Sequence, residues 1–159
     1  MTLLHPPILE TRHIVWTDED DCAAFAARLA RLPALRDAYL ELSGPLGAGK
    51  TTFVRHLLRA LGVGGRIKSP TYAVLEPYEL PGWRISHFDF YRFDDAREWD
   101  DAGFREIFAA PGLKLAEWPE NAAGVLPTPD LRLRIDLADA SRRELTLQAS
   151  TPRGAELLE

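Results

Sequence analysis

The chain has a single cysteine, Cys22, in 159 residues, so no internal disulfide can form. That fits a reducing compartment, and the cytoplasm is the expected one. Long apolar runs are missing too. The longest fall far short of the ~20 residues that span a bilayer and are cut by Arg, Glu and Asp, so no membrane insertion is expected. The first residues lack the basic, apolar and small-residue series of a signal peptide. Positive charge is not in excess: the formal net charge is -5. Without a basic field the chain is poorly suited to grip long nucleic acid through its phosphates, so a local arginine patch or indirect contact is the most that charge allows. Lysine is scarce, with only Lys50, Lys68 and Lys114 among nineteen basic residues. A lysine inside a motif therefore carries more information than an arginine would.

What is present is a globular composition, 46% hydrophobic and 27% charged, which supports a buried core and argues against disorder or a coiled coil. The length suits one domain, 1–159, with residues 1–10 and the tail 150–159 expected to be loose. No internal repeat or low-complexity tract occurs.

Thr17 followed by Asp20 reads as a capping box, after which Cys22, Phe25, Ala26 and Leu29 recur at helical spacing until Pro33. AYLEL (38–42) reads as a buried strand running into a Ser43-Gly44 turn. Phe53, Leu57 and Leu61 then mark a helix that Gly62 stops. Residues 72–75 and 85–91 are further strand expectations, separated by the turn-prone Glu79-Leu80-Pro81-Gly82. Residues 94–108 read as an amphipathic helix with Trp99, Phe104, Ile107 and Phe108 inward. LKLAEW (113–118) reads as a strand closed by Pro119. LRLRIDL (131–137) alternates throughout and residues 144–149 do so more briefly, which predicts a C-terminal antiparallel hairpin. The order of elements predicts an α/β fold with some antiparallel pairing.

Gly44-Pro45-Leu46-Gly47-Ala48-Gly49-Lys50-Thr51 matches G-x-x-x-x-G-K-[ST] between a predicted strand and a predicted helix, the context in which such a loop cradles phosphate. Its glycines let successive N–H groups approach phosphate oxygens without a Cβ in the way. The helix start adds its positive dipole end, Lys50 reaches the β and γ phosphates, and the Thr51 hydroxyl is placed to ligate Mg²⁺. A chance match in such a chain is on the order of one in a hundred or rarer.

The loop identifies a nucleotide and leaves the reaction open, because hydrolysis needs carboxylates brought beside the γ phosphate from other strands. Asp89 lies toward the end of the strand ISHFD, where ligands collect in open α/β sheets, or else caps that strand. Glu117 ends LKLAE directly after apolar residues, where a carboxylate is costly unless it sits at the sheet's mouth or is paired. Trp118 is either core or an aromatic wall of the site.

Four segments together, LSGPLGAGKTTFVRHLLRALGV (42–63), KSPTYAVLEPYE (68–79), HFDFYRFDD (87–95) and EWPEN (117–121), resemble the small bacterial ATPase family called TsaE or YjeE, which takes part in threonylcarbamoyladenosine modification of tRNA. The likeness covers nearly the whole chain. It implies a single P-loop NTPase domain with a mostly parallel central sheet, an antiparallel C-terminal hairpin and helices on both faces. It also implies ATP and Mg²⁺ as cofactors, with the loop and Thr52 at the nucleotide and Trp118 beside it. By the same likeness Thr51, Asp89 and Glu117 are the metal-side residues, and Asp89, Glu117 and Thr71 are catalytic. Ser69-Pro70-Thr71 becomes a loop near the γ phosphate that senses ATP against ADP. The partners implied are the subunits TsaD and TsaB, with contact to tRNA at most indirect. One departure is Pro45, where the family commonly carries Asp after the first loop glycine, and any role of that Asp is lost here. Tyr72 in place of the also familiar Phe is conservative.

Two other classes fit the same loop. A small-molecule kinase would need an acceptor pocket and an arginine-bearing lid, for which Arg92, Arg97 and Arg105 are available. A nucleotide-gated binding module would use ATP only to order a partner surface.

Overall fold

A computed structural model describes residues 7–68, 70, 74–94 and 103–159. One seven-stranded sheet runs through it in the order β1-β7-β6-β2-β5-β4-β3. The strands are β1 (Glu10–Trp16), β2 (Tyr39–Ser43), β3 (Leu75–Leu80), β4 (Trp83–Asp89), β5 (Leu113–Glu117), β6 (Leu131–Leu137) and β7 (Arg143–Ala149). Among the described residues the α-helices are α1 (Glu19–Ala30), α2 (Lys50–Ala60), α3 (Phe104–Ala109) and α4 (Pro152–Leu157).

The centre is parallel: β2 lies between β6 and β5, and β4 continues on the far side of β5. Both margins are antiparallel, with β6–β7–β1 on one side and β3–β4 on the other. Parallel and antiparallel pairings are therefore equal in number, which corrects the expectation of a mostly parallel sheet. The predicted hairpin is present, with Leu131 opposite Ala149 and Leu137 opposite Arg143. Its alternation exists because Leu131, Leu133 and Ile135 enter the core while Arg132 and Arg134 face outward.

Helices lie on both faces. On one, Phe25 and Leu29 of α1 and Phe53 and Leu57 of α2 share a core with Leu40, Leu42, Leu115 and Leu133. Trp16, Phe25 and Phe53 meet there with ring centroids 5.8 to 6.0 Å apart. On the other face Phe104 of α3 joins Tyr39, Phe88, Phe90 and Phe93 in a smaller aromatic cluster. Among the described residues no helix is long and apolar enough to cross a membrane.

Several local expectations shift. The cap of α1 is Asp18, which accepts from the Asp21 N–H, while Asp21 accepts from Thr17 in return. The box thus sits one residue beyond Thr17–Asp20. Tyr72 lies outside the described residues, Val74 has a left-handed φ of 66°, and the strand runs from Leu75 through Pro77 to Leu80. Proline is tolerated because β3 is an edge strand. Asp94 is not helical, and within the expected 94–108 span the structure describes a helix at Phe104–Ala109 after Gly103; residues 95–102, with the expectations at Arg97 and Trp99, fall outside the described residues.

Residues 1–6 lie outside the described residues, and the chain is held from Leu9 onward at one end and through the tail at the other. Leu9 donates to Ala149, and β1 pairs along β7 from Glu10 to Trp16. The tail forms α4, capped by Thr151 and anchored by buried Leu157 and Leu158. Gly154 touches Asp130 so closely that a Cβ there would stand 1.8 Å from the Asp130 carbonyl oxygen.

Candidate functional site

The parallel strands β2, β4 and β5 end together, which brings Ser43, Asp89 and Glu117 to one rim of the sheet. Asp89 and Glu117 are direct neighbours in the β4–β5 register. The glycine-rich loop leaves β2 at this rim. Gly44 turns there with φ 141°, and a Cβ on it would lie 2.2 Å from the carbonyl oxygen of Ile135, so only glycine fits. Gly49 precedes α2 without a side-chain cap, leaving the first N–H groups of that helix directed at the loop. Arg143 of β7 holds the loop from the far side, its Nε donating to the Ala48 carbonyl at 2.9 Å.

Inside this rim Lys50 is buried, donating to the Gly44 and Pro45 carbonyls at 2.5 and 3.1 Å. Burial draws its ammonium below its ordinary value, against the pull of Glu117, Glu120 and Asp89. Its nitrogen stands 4.2 Å from the Trp118 ring centroid. Trp118 adopts a left-handed conformation, φ 56° and ψ 48°, which carries the chain off β5; a non-glycine residue held there costs of order 1–3 kcal/mol. The Thr51 hydroxyl donates to Glu117 Oε1 at 2.8 Å. Asp89 accepts from the Tyr91 N–H at 2.9 Å, and burial raises its pKa, with nearby Glu117 adding to the rise and Tyr91 opposing it. Asn121 fixes the two strand ends together by donating to Phe90 and Tyr91 carbonyls at 3.0 and 3.1 Å.

Two cavities flank the loop. One, of about 340 Å³, has Lys50, Thr51, Asp89, Glu117 and Trp118 in its wall. Leu46 and Tyr91 stand at its edge, 72% and 46% exposed. The other, of about 290 Å³, lies between Trp16, Cys22, Ala48, Thr52 and Arg143. The buried indole N–H of Trp16 has no hydrogen-bond partner among the described residues. A third cleft, of about 360 Å³, lies near Arg36 and Trp83, but its charges are already taken up. Arg36 donates to Gly82, Arg84 to Glu79, and Asp37 accepts from Gly112.

The structure thus gathers Lys50, Thr51, Asp89, Glu117 and Trp118 at one cavity, whereas Thr71 and Ser69 lie outside the described residues. Pro45 offers only its carbonyl to Lys50. Thr52 lines both cavities. Among the described residues no three His, Cys, Asp or Glu side chains enclose a metal by themselves. A hydroxyl and two carboxylates beside an open cavity instead suit a hard cation that keeps waters and takes further oxygens from a phosphate.

Sequence reasoning missed three residues. Arg143 and Asn121 act over long sequence distances that no local pattern reveals. His87 was within reach, because a polar side chain two residues before Asp89 on a buried strand faces the same way. Its Nε2 lies 2.6 Å from Glu117 Oε2.

Known proteins resemble the chain in sequence and in fold. The sequence model of the family described as "Threonylcarbamoyl adenosine biosynthesis protein TsaE" matches residues 16–145. A Haemophilus influenzae protein named tRNA threonylcarbamoyladenosine biosynthesis protein TsaE is 39% identical over 84% of each chain. Its Bacillus subtilis namesake is 36% identical over 69% of this chain and 68% of its own. The crystal structure of Bacillus subtilis YdiB superposes with a TM-score of 0.74 at 27% identity, covering 96% of this chain and 93% of that one. By sequence and by fold, the chain belongs to the TsaE family.

Proposed function

We propose that this chain is a P-loop NTPase that binds and hydrolyses ATP with Mg²⁺ in the cytoplasm, within the system that makes the threonylcarbamoyladenosine modification of tRNA. The observation that carries the reading is the meeting of Lys50, Thr51, Asp89 and Glu117, from a helix start and two strand ends, at the mouth of one glycine-rich loop. The loop amides and the first turn of α2 receive the phosphates, and Lys50 leaves its carbonyl partners to meet the β and γ oxygens. The base and sugar lie on the other flank, in the cavity beside Trp16 and Thr52. Thr51 and Asp89 would hold Mg²⁺, which when bound neutralises charge developing on the phosphate oxygens. Glu117 keeps the Thr51 hydroxyl oriented by accepting its hydrogen bond. Its carboxylate and that of Asp89 also set the field in which the attacking water is ordered.

The resemblance supplies TsaD and TsaB as the partners of this chain. The net charge of -5 supports tRNA contact that is at most indirect. A cavity with exposed Leu46 and Tyr91 at its edge is open to solvent, so turnover by the lone chain is slow and a partner completes the chamber. The test is calorimetric titration with ATP and Mg²⁺, followed by phosphate release with and without the partner proteins. Tight ATP binding with partner-stimulated release is expected. Phosphorylation of a small acceptor by the lone chain would instead make it a kinase, and binding without release would make it a nucleotide-gated module.

A further inference from the structure

His87 and Glu117 are 1% and 2% exposed and face each other across adjacent strands, with His87 Nε2 at 2.6 Å from Glu117 Oε2. The second carboxylate oxygen, Oε1, accepts from Thr51 at 2.8 Å. Both oxygens of Glu117 are therefore committed, one to an imidazole and one to a hydroxyl. The other imidazole nitrogen, Nδ1, is buried with no hydrogen-bond partner among the described residues. A buried polar atom left unpaired is costly, and an apolar side chain of similar size at position 87 would avoid the cost. Ile85, two residues earlier on the same strand face, shows that this face accepts one. The imidazole is thus kept at the expense of an orphan nitrogen, and among the described residues its hydrogen-bonding edge meets Glu117 alone.

A carboxylate anchored at a single oxygen can rotate, and its hydroxyl partner rotates with it. Anchored at Oε2 by His87, Glu117 presents Oε1 to Thr51 in one orientation. The Thr51 proton then points at Glu117, and the lone pairs of its oxygen are turned away from the carboxylate. We propose that His87 is a positioning residue whose contact with Glu117 sets the Thr51 hydroxyl as a ligand for the divalent cation accompanying the nucleotide. This rests on the reading of the loop as an ATP site and adds the residue that orients its metal side. β4 then serves the site twice, directly through Asp89 and, two residues earlier on the same face, through His87, which anchors the ligand's partner Glu117. Hydrogen-bonded partners of a metal ligand typically govern 10- to 100-fold in metal affinity, and His87 acts on that partner, Glu117, so its removal belongs at the lower end of the range.

Three substitutions separate positioning from packing. In His87→Gln the side-chain amide nitrogen reaches the place of Nε2; in His87→Asn it reaches only that of Nδ1; His87→Leu fills space alone. Each folded variant is loaded with a non-hydrolysable ATP analogue and titrated with Mn²⁺ by electron paramagnetic resonance, and analogue binding in EDTA is measured by calorimetry. Leu and Asn should weaken Mn²⁺ binding about tenfold or more and Gln by no more than about threefold, with affinity in EDTA alike in all. Wild-type Mn²⁺ affinity in His87→Leu, or a His87→Gln variant as weak as His87→Asn, overturns the role of His87. Where Leu fails to fold, the contrast of Gln with Asn decides. A wild-type chain that does not bind the analogue overturns the ATP reading and this inference with it, an outcome distinct from analogue binding with unchanged Mn²⁺ affinity.

Discussion

Lys50 and Trp118 are in cation–π contact, the ammonium nitrogen 4.2 Å from the indole centroid, while the hydrogens of that nitrogen go to Gly44 and Pro45 carbonyls. The phosphates of a nucleotide compete for this same charge. Moving Lys50 off the ring should change the emission of Trp118, so Trp118→Phe should shrink the nucleotide-induced change and leave the part that Trp16, beside the proposed base cavity, contributes. Replacing Lys50 by Ala removes a charge-assisted contact of ~2 to 3 kcal/mol, so ATP affinity should fall by about two orders of magnitude in a protein that still folds. Unaltered affinity in calorimetry would remove Lys50 from the site.

Cys22 gives a pH prediction. Burial, with a smaller contribution from Glu19, pushes its thiol from 9.0 up to about 12. For an acid whose folded pKa is raised, the unfolded chain loses its proton first, so stability present below about pH 9 declines as the pH climbs toward about 12. Cys22→Ala should lower stability at neutral pH through lost packing but show a shallower loss across that alkaline window. Denaturant melts at pH 8 and pH 10.5 check the difference in slope. The thiol of the folded protein should also resist alkylation at pH 8.

The parts legible in the sequence are those whose signal is local and whose elements are half-buried in a regular way. The α2 stripe, the strand before the loop and the alternation of β6 are of this kind, and the spacing of the loop motif is enough to nominate Lys50 and Thr51. Asp89 and Glu117 could be nominated from their strand-end positions, but their adjacency follows from the β4–β5 register, which is a tertiary fact. β1 escaped because an edge strand with four exposed positions in seven carries little pattern. β3 escaped because Pro77 reads as a breaker, although an edge strand can spare its N–H. α4 is six residues long and holds by docking rather than by helix propensity.

That docking can be tested at Gly154. A Cβ there would lie 1.8 Å from the backbone oxygen of Asp130, which cannot yield because Asp130 also holds the Tyr39 N–H at 2.7 Å and the Thr151 hydroxyl at 2.7 Å. Gly154→Ala should cost about 1–3 kcal/mol or more through overpacking. Deleting residues 152–159 should cost roughly 3 kcal/mol or more by uncovering the surface that Leu157 and Leu158 bury. A truncated chain that melts with the full one would show the tail to be dispensable.

Asp89 and Glu117 sit side by side at the rim, one accepting from a backbone N–H and the other bound on both oxygens. Their proposed tasks differ: Asp89 meets the metal side directly, and Glu117 works through Thr51. Asp89→Asn and Glu117→Gln keep shape and should leave ATP binding within about tenfold of wild type. Hydrolysis with the partner proteins present should fall in each variant by about two orders of magnitude or more, because the interactions lost act on the reacting phosphate. Residues that act on one cluster do not contribute independently, so the double variant should be far less impaired than the product of the two single effects predicts. Multiplicative losses in single-turnover measurements would mean that the carboxylates serve separate steps, and wild-type hydrolysis in either single variant would reduce that residue to a structural part of the strand end.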